Sequence, residues 1–136
     1  MKFFENNLTD AIQIKDPYII NIGINVSVVT RPDFNSNEVQ LRCVSRLIEL
    51  MDNDKRSINE PLIISNITSE LDKLDGVQSI QEVEVINLID RNLGYSGNVY
   101  DIKSATRSGI IYPPIDCSIW EVKYPKSDLR VRILDL

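Results

Sequence analysis

The feature that most constrains this chain is an alternation of apolar and polar residues from Tyr18 to Val28. The even-numbered positions of this segment are Tyr, Ile or Val, whereas Asn, Gly or Ser fills all but one of the odd-numbered positions. Since successive side chains of a strand point to opposite faces, this period of two predicts a β-strand with one apolar face. We expect that face to meet a core and the polar face to meet solvent or a subunit partner.

Two amphipathic helices and a second strand are predicted after this strand. Candidate caps at residues 35–37 precede apolar residues spaced at three and four, which predicts a helix from about residue 37 to Asp52. A second, shorter helix is predicted to begin at the cap Ser65. Residues 81–89 alternate again, with the glutamates and the valines on opposite faces. This order predicts an α+β fold in which a small sheet has two helices packed on one face.

The residue pattern of the sequence changes beyond residue 90. Glycines and prolines separate the short apolar pieces 110–112, 119–124 and 129–133. Such punctuation is typical of short strands joined by turns. We therefore divide the chain into an α+β domain, residues 1–90, and a short-stranded C-terminal extension or arm, residues 91–136, packed on the same domain or on a neighbouring subunit.

The composition argues against most enzymatic designs. The 136 residues include no histidine, so the chain lacks the usual general base and the commonest metal ligand. Cys43 lies in the apolar stripe of the first predicted helix, where we expect it to be a small buried hydrophobic residue. Cys117 lies far from Cys43 in the sequence, so the two do not have the spacing of a metal-binding motif. Asp52 opens a calcium-like loop whose later positions lack the required glycine and glutamate. We predict no catalytic residue, no cofactor and no metal.

The extension carries basic and aromatic residues that suit a binding surface. They are Arg107, Lys123, Lys126, Arg130 and Arg132, with Tyr112, Trp120 and Tyr124 between them. This composition is found in nucleic-acid faces and also in protein interfaces. Because the net charge of the chain is −5, we favour a protein interface formed by Tyr112, Trp120, Tyr124, Arg107 and Lys123.

Two other interpretations of the extension stay open. Trp120 could fill the core of its own domain instead of anchoring a partner. A hydrolase that uses paired carboxylates, such as Asp116 and Glu121, is the weakest alternative, because sequence spacing says nothing about their geometry. No apolar run approaches the ~20 residues of a membrane span, and the first residues lack the apolar centre of a signal peptide. We expect no membrane partner and synthesis in a cytoplasm.

Residues 98–133 indicate more about the function than the composition does. They read NVYDIKSATRSGIIYPPIDCSIWEVKYPKSDLRVRI and resemble the carboxy-terminal signature of baseplate wedge proteins of contractile-tailed phages, in the baseplate J-like group. The matching positions are Tyr100-Asp101, Ala105-Thr106, Gly109, Ile111-Tyr112-Pro113, Asp116, Trp120-Glu121, Lys123, Pro125 and Asp128-Leu129. The strand YIINIGINVSV and the segments 60–67 and 74–85 follow in the order expected of that family.

The resemblance implies a structural function. Members of that family are longer, so this chain would correspond to a carboxy-terminal part. They are wedge components of the tail baseplate that associate as dimers or rings and contact other wedge subunits. The resemblance thus implies a virion protein, made in the host cytoplasm, with a homo-oligomeric state. From the acidic net charge we expect no nucleic-acid partner, and the alternative function is a small nucleic-acid-binding module that uses the basic and aromatic residues of the extension.

Overall fold

The computed structural model describes residues 16–114 and 117–135 and has the expected α+β fold. The strands are β1 (Tyr18–Thr30), β2 (Leu62–Ile63), β3 (Val77–Asn87), β4 (Thr106–Arg107), β5 (Ile110–Ile111), β6 (Ser118–Glu121) and β7 (Leu129–Leu134). The helices are α1 (Ser36–Leu50), α2 (Ile64–Asp72) and α3 (Pro125–Asp128).

Strand β1 is the centre of the main sheet. One of its edges pairs antiparallel with β3. The other edge pairs in parallel with two short strands in succession, β6 over residues 18–21 and β7 over residues 24–29. A thirteen-residue strand is long enough to serve both partners, with α3 between them. The C-terminal segment therefore packs on this domain and completes its sheet.

The apolar face of β1 and helix α1 form the centre of the core. The even-numbered residues of β1 from Ile20 to Val28 are buried, as the alternation predicts. Helix α1 buries Val39, Cys43 and Leu47, which recur every four residues. Its N-cap is Asn35, whose side chain accepts hydrogen bonds from two backbone N–H groups of the first turn at 2.9 and 3.2 Å. The predicted helix and its capping region are confirmed.

Helix α2 begins differently from the prediction. Ser65 is not its N-cap, because the helix begins at Ile64 and has no side-chain cap. The backbone N–H of Ile64 instead donates to the Gly109 carbonyl at 2.8 Å. Gly109 lies in the two-residue turn between β4 and β5, where Ser108 and Gly109 both have positive φ, as a type I′ turn requires. A tertiary contact thus satisfies the first N–H of a helix that begins one residue before the predicted cap.

The second strand also differs in its bounds. Strand β3 covers 77–87, whereas the alternation predicted a strand over 81–89. The extra residues at its beginning pair with the end of β1 through two register shifts, which no local pattern in the sequence reveals. The two faces of the strand were predicted correctly. Val83 and Val85 pack against the core, and Glu82 and Glu84 lie on the other face, where both are exposed.

Candidate interface surfaces

The polar face of β1 has two halves with different environments. In the first half the segment 88–100 folds over the strand. The Asn21 side chain is buried there, and its oxygen accepts from the Ser96 N–H at 2.7 Å while its nitrogen donates to a Glu121 carboxylate oxygen at 2.7 Å. Ser96 and Asn98 both donate to the Ile19 carbonyl, at 2.8 and 2.7 Å. We call this part of the polar face, around Ile19 and Asn21, the covered half.

The second half is bordered by charge, with Asn25 partly exposed and Ser27 buried between its neighbours. Asn25 and Ser27 occupy the centre, with Glu84 and Glu82 on β3 at one side and Arg130 and Arg132 on β7 at the other. These six residues line one shallow groove, together with the backbone between them. All four charged side chains are exposed. We call these six residues the charged face.

Hydrogen bonds within the charged face are few. The Asn25 side chain donates to a Glu84 oxygen at 3.4 Å, and the Arg132 guanidinium donates to the Ser27 hydroxyl at 3.2 Å. Two strand spacings, about 10 Å, separate the backbones of β3 and β7. The ion pairs within the described parts of the chain join Arg46 to Glu49 and Glu70, and Lys73 to Glu70, so none of them uses the charged face.

Tyr112 and Arg107, both predicted as interface residues, lie together on the surface. The Tyr112 ring is 43% exposed, and the Arg107 guanidinium lies 6.0 Å from its centroid. The Tyr100 hydroxyl donates to the Tyr112 carbonyl at 2.7 Å and so holds this segment in place. Such an arginine-tyrosine pair is typical of interface centres.

Tyr124 and Lys123 belong to a different surface. Tyr124 is 40% exposed, but its hydroxyl donates to the Leu93 carbonyl at 2.7 Å and its ring packs edge-on against Tyr95, with centroids 5.6 Å apart. Asp128 is buried beneath them, where it accepts from the Tyr95 hydroxyl at 2.8 Å and from the Tyr124 N–H at 3.2 Å. Burial, reinforced by this carboxylate, raises the pKa of Tyr95 to about 12. Tyr124 is therefore already committed to contacts within its own chain.

Trp120 lies in the core. It is 2% exposed, pairs with Ile20 across the β1–β6 ladder, and donates its indole N–H to the Glu60 carbonyl at 2.8 Å. The ring of Tyr100 packs against it with centroids 5.8 Å apart. The structure thus corrects the interpretation of Trp120 as an exposed anchor and agrees with the alternative of a core residue.

The remaining chemistry-bearing residues have structural partners. Glu121 accepts the hydrogen bond from Asn21 described above, whereas Asp116 lies outside the described residues. Asp52 caps a short 3-10 turn by accepting from the Asp54 N–H at 3.0 Å. Cys43 is fully buried, and burial raises the pKa of its thiol. Within residues 16–114 and 117–135, no three Cys, Asp or Glu side chains are grouped so that they could hold a metal ion.

Sequence reasoning missed the charged face. The alternation in residues 81–89 predicts that Glu82 and Glu84 share one face, and Arg130 and Arg132 are among the basic residues of the extension. What the sequence did not reveal is that β3 and β7 lie on opposite sides of β1. The alternation of charged and apolar residues in Leu129–Leu134 was the available signal, because it resembles a strand with one charged face.

No family model matches the chain, and no curated protein matches it. None of the helices in the described ranges is long and apolar enough to span a bilayer.

Proposed function

We propose that this chain is a structural component of a contractile phage tail baseplate wedge, in which it mediates contacts between subunits. The observation that carries the proposal is the motif in residues 98–133, which resembles the signature of baseplate wedge proteins. The proposal assigns no reaction, cofactor or metal to the chain. The proposed location is the tail baseplate of the virion, after synthesis in the host cytoplasm.

The positions of the motif residues support a structural rather than a chemical use. Trp120 fills the core, Asp128 holds two tyrosine groups from beneath, and Gly109 forms a hairpin turn that also accepts the first hydrogen bond of α2. Each of these residues acts on the fold of its own chain. A motif of this kind specifies a rigid shape, which is what a subunit of a large assembly needs.

The exposed part of the same motif offers a contact surface. Within residues 98–133, Tyr112 and Arg107 present a ring and a guanidinium to solvent and Val99 is 65% exposed, and outside the motif Tyr18 at the start of β1 is 40% exposed. The Tyr18 hydroxyl donates to the Val99 carbonyl at 3.2 Å, so these two residues are neighbours. Exposed aromatic and apolar side chains beside an arginine are the composition that protein interfaces favour. We assign Tyr112 and Arg107 to the contact with another wedge subunit.

A nucleic-acid-binding module is the alternative, and Arg130 and Arg132 on one exposed strand face are the observation in its favour. However, Glu82 and Glu84 lie in the same rows of the same face. Carboxylates so close would repel a phosphate backbone, which weakens this alternative. Binding to generic DNA that declines steeply with salt would support it.

The decisive experiment asks where the protein resides. Tails of the virus that encodes this sequence would be separated from capsids, and peptides from both fractions identified by mass spectrometry. We expect peptides of this sequence in the tail fraction at a fixed ratio to the other tail proteins. Recovery only from capsids or from infected-cell lysate would overturn the proposal.

A substitution tests the assigned contact. In virus that carries Tyr112→Ala, we expect the chain to fold but to be depleted from purified tails, because a central aromatic contact is lost. Leu41→Ala is the matched control, since Leu41 is a large apolar residue, 66% exposed, on the outer side of α1. Equal recovery of both variants in tails would remove Tyr112 from the contact.

A further inference from the structure

The charged face has a symmetry that a random charged surface lacks. Asn25 pairs with Glu84 on one side and with Arg130 on the other, and Ser27 pairs in the same way with Glu82 and Arg132. Each row across the sheet therefore holds one acid, one neutral polar residue and one base. The acid and the base in each row are equally far from β1, at about one strand spacing of 4.8 Å.

We propose that the charged face is a self-complementary surface on which a second copy of this chain docks around a two-fold axis parallel to β1. Such an axis places β3 of each copy over β7 of the other and leaves every row at the same height. Glu84 of one copy then faces Arg130 of the second copy, and Glu82 faces Arg132. Two-fold symmetry produces each contact twice.

Other orientations do not have this property. A two-fold axis across the strands places β3 over β3, so that glutamates face glutamates and arginines face arginines. Like charges that face each other across an interface cost several kcal/mol. The charge pattern thus selects one axis direction among the two that stack the sheets with their strands aligned. Stacked sheets with aligned strands are also a common packing, with strands within about 30° of each other.

The arrangement of charges on this face in a single chain favours a second copy of the chain as the partner. Glu82 and Glu84 lie two residues apart on one side of a strand, and so do Arg130 and Arg132, so each pair places like charges side by side. None of the four makes an ion pair with another described residue. A second copy supplies four counter-charges at once. Leu134, which pairs with the buried Val29 in the next row and is itself partly exposed, adds an apolar margin beyond the charges.

This inference deepens the assembly function proposed above and rests on it only for the expectation that copies of the chain meet. The experiment measures solution mass by light scattering after size exclusion, over a concentration series of the whole chain. We expect a dimer at low salt whose Kd rises about tenfold between roughly 50 and 500 mM NaCl, because exposed charges are screened.

Charge reversal gives the sharper test. Glu82→Arg with Glu84→Arg makes the whole face basic, and Arg130→Glu with Arg132→Glu makes it acidic. Each double variant alone is expected to be monomeric, with Kd raised by more than about 100-fold. An equimolar mixture of the two is expected to form a dimer of one copy of each, since a basic face then meets an acidic one.

The matched control changes the net charge equally on the other side of the domain. Asp72→Arg with Asp75→Arg replaces two exposed acids, one at the last residue of α2 and one shortly after the helix, and should leave the dimer intact. Far-ultraviolet circular dichroism and the melting temperature of each variant check that it is folded. All changed side chains are exposed, so we expect the melting temperature of each variant to stay close to that of the wild-type chain.

Each outcome decides the proposal. Monomeric double variants that combine into a mixed dimer would support it. A wild-type chain that stays monomeric at every concentration, or a dimer that persists in either double variant, would overturn it. Neither of these results would touch the assignment to the tail baseplate, which depends on the recovery of the chain from purified tails.

Discussion

The two halves of the polar face of β1 start from the same sequence pattern and end in different environments. In the covered half, Asn21 is buried and its side chain is bonded on both sides by groups from distant segments. In the charged face, Asn25 makes one long hydrogen bond at 3.4 Å and Ser27 receives one from an arginine. The difference comes from the segment 88–100, which folds over one half only.

This comparison teaches that a polar residue in an alternating strand has no set energetic role. A buried amide with several partners stabilises the fold, because removing it leaves those partners without a hydrogen bond and shielded from water. The same amide in an open groove exchanges its protein partners for water at little cost. The covered half therefore serves stability, and the charged face is free to serve association.

The largest expected effect concerns the core beneath the covered half. Trp120→Ala removes a buried ring from β6 and the hydrogen bond to the Glu60 carbonyl. We expect the free energy of unfolding to fall by about 3–5 kcal/mol, measured by urea denaturation. Trp120→Phe, which keeps most of the ring volume, should cost clearly less. A loss below about 1 kcal/mol for the alanine variant would contradict the buried position.

A matched pair of substitutions tests the comparison itself. Asn21→Ala leaves the Ser96 N–H and the Glu121 carboxylate without their partner in a buried site, so we expect a loss of about 2–3 kcal/mol. Asn25→Ala, four residues along the same face, should change stability by less than about 0.5 kcal/mol. Equal losses at both positions would show that the two halves do not differ in the way described.

The smallest effect concerns the tyrosine cluster at the edge of the covered half. Because the pKa of Tyr95 is raised to about 12 from its ordinary value near 10, the folded state favours the protonated phenol. This contribution to stability is fully present below pH 10 and is lost as the pH rises towards 12. Tyr95→Phe should cost about 1 kcal/mol at neutral pH and should flatten the decline between pH 10 and 12.

The pH prediction is checked by urea denaturation at several values in that window. Tyr124→Phe is the control, because it removes a hydroxyl from the same cluster that donates only to the Leu93 carbonyl. We expect that variant to keep the decline. An unchanged pH dependence in Tyr95→Phe would mean that the Tyr95 phenol ionises in the folded state as readily as in the unfolded chain.

The sequence alone determined the elements whose causes are local. The alternation from Tyr18 to Val28 predicted β1 and its buried face, and the candidate caps at 35–37 with the apolar stripe after them predicted α1. The parity of Glu82 and Glu84 on β3 was likewise readable, because side-chain direction in a strand follows from the backbone period.

Only the tertiary structure decided which strands border β1 and therefore what the polar face became. The parallel pairing of β6 and β7 with β1 joins residues about one hundred positions apart, and such pairing depends on the summed packing of the core rather than on any local pattern. The same holds for the start of α2, where the helix begins before the expected cap Ser65 and its first N–H donates to the Gly109 carbonyl. Glu82 and Glu84 share a face of the sheet with Arg130 and Arg132 because burial of the apolar side chains of β7 leaves its arginines on the polar side.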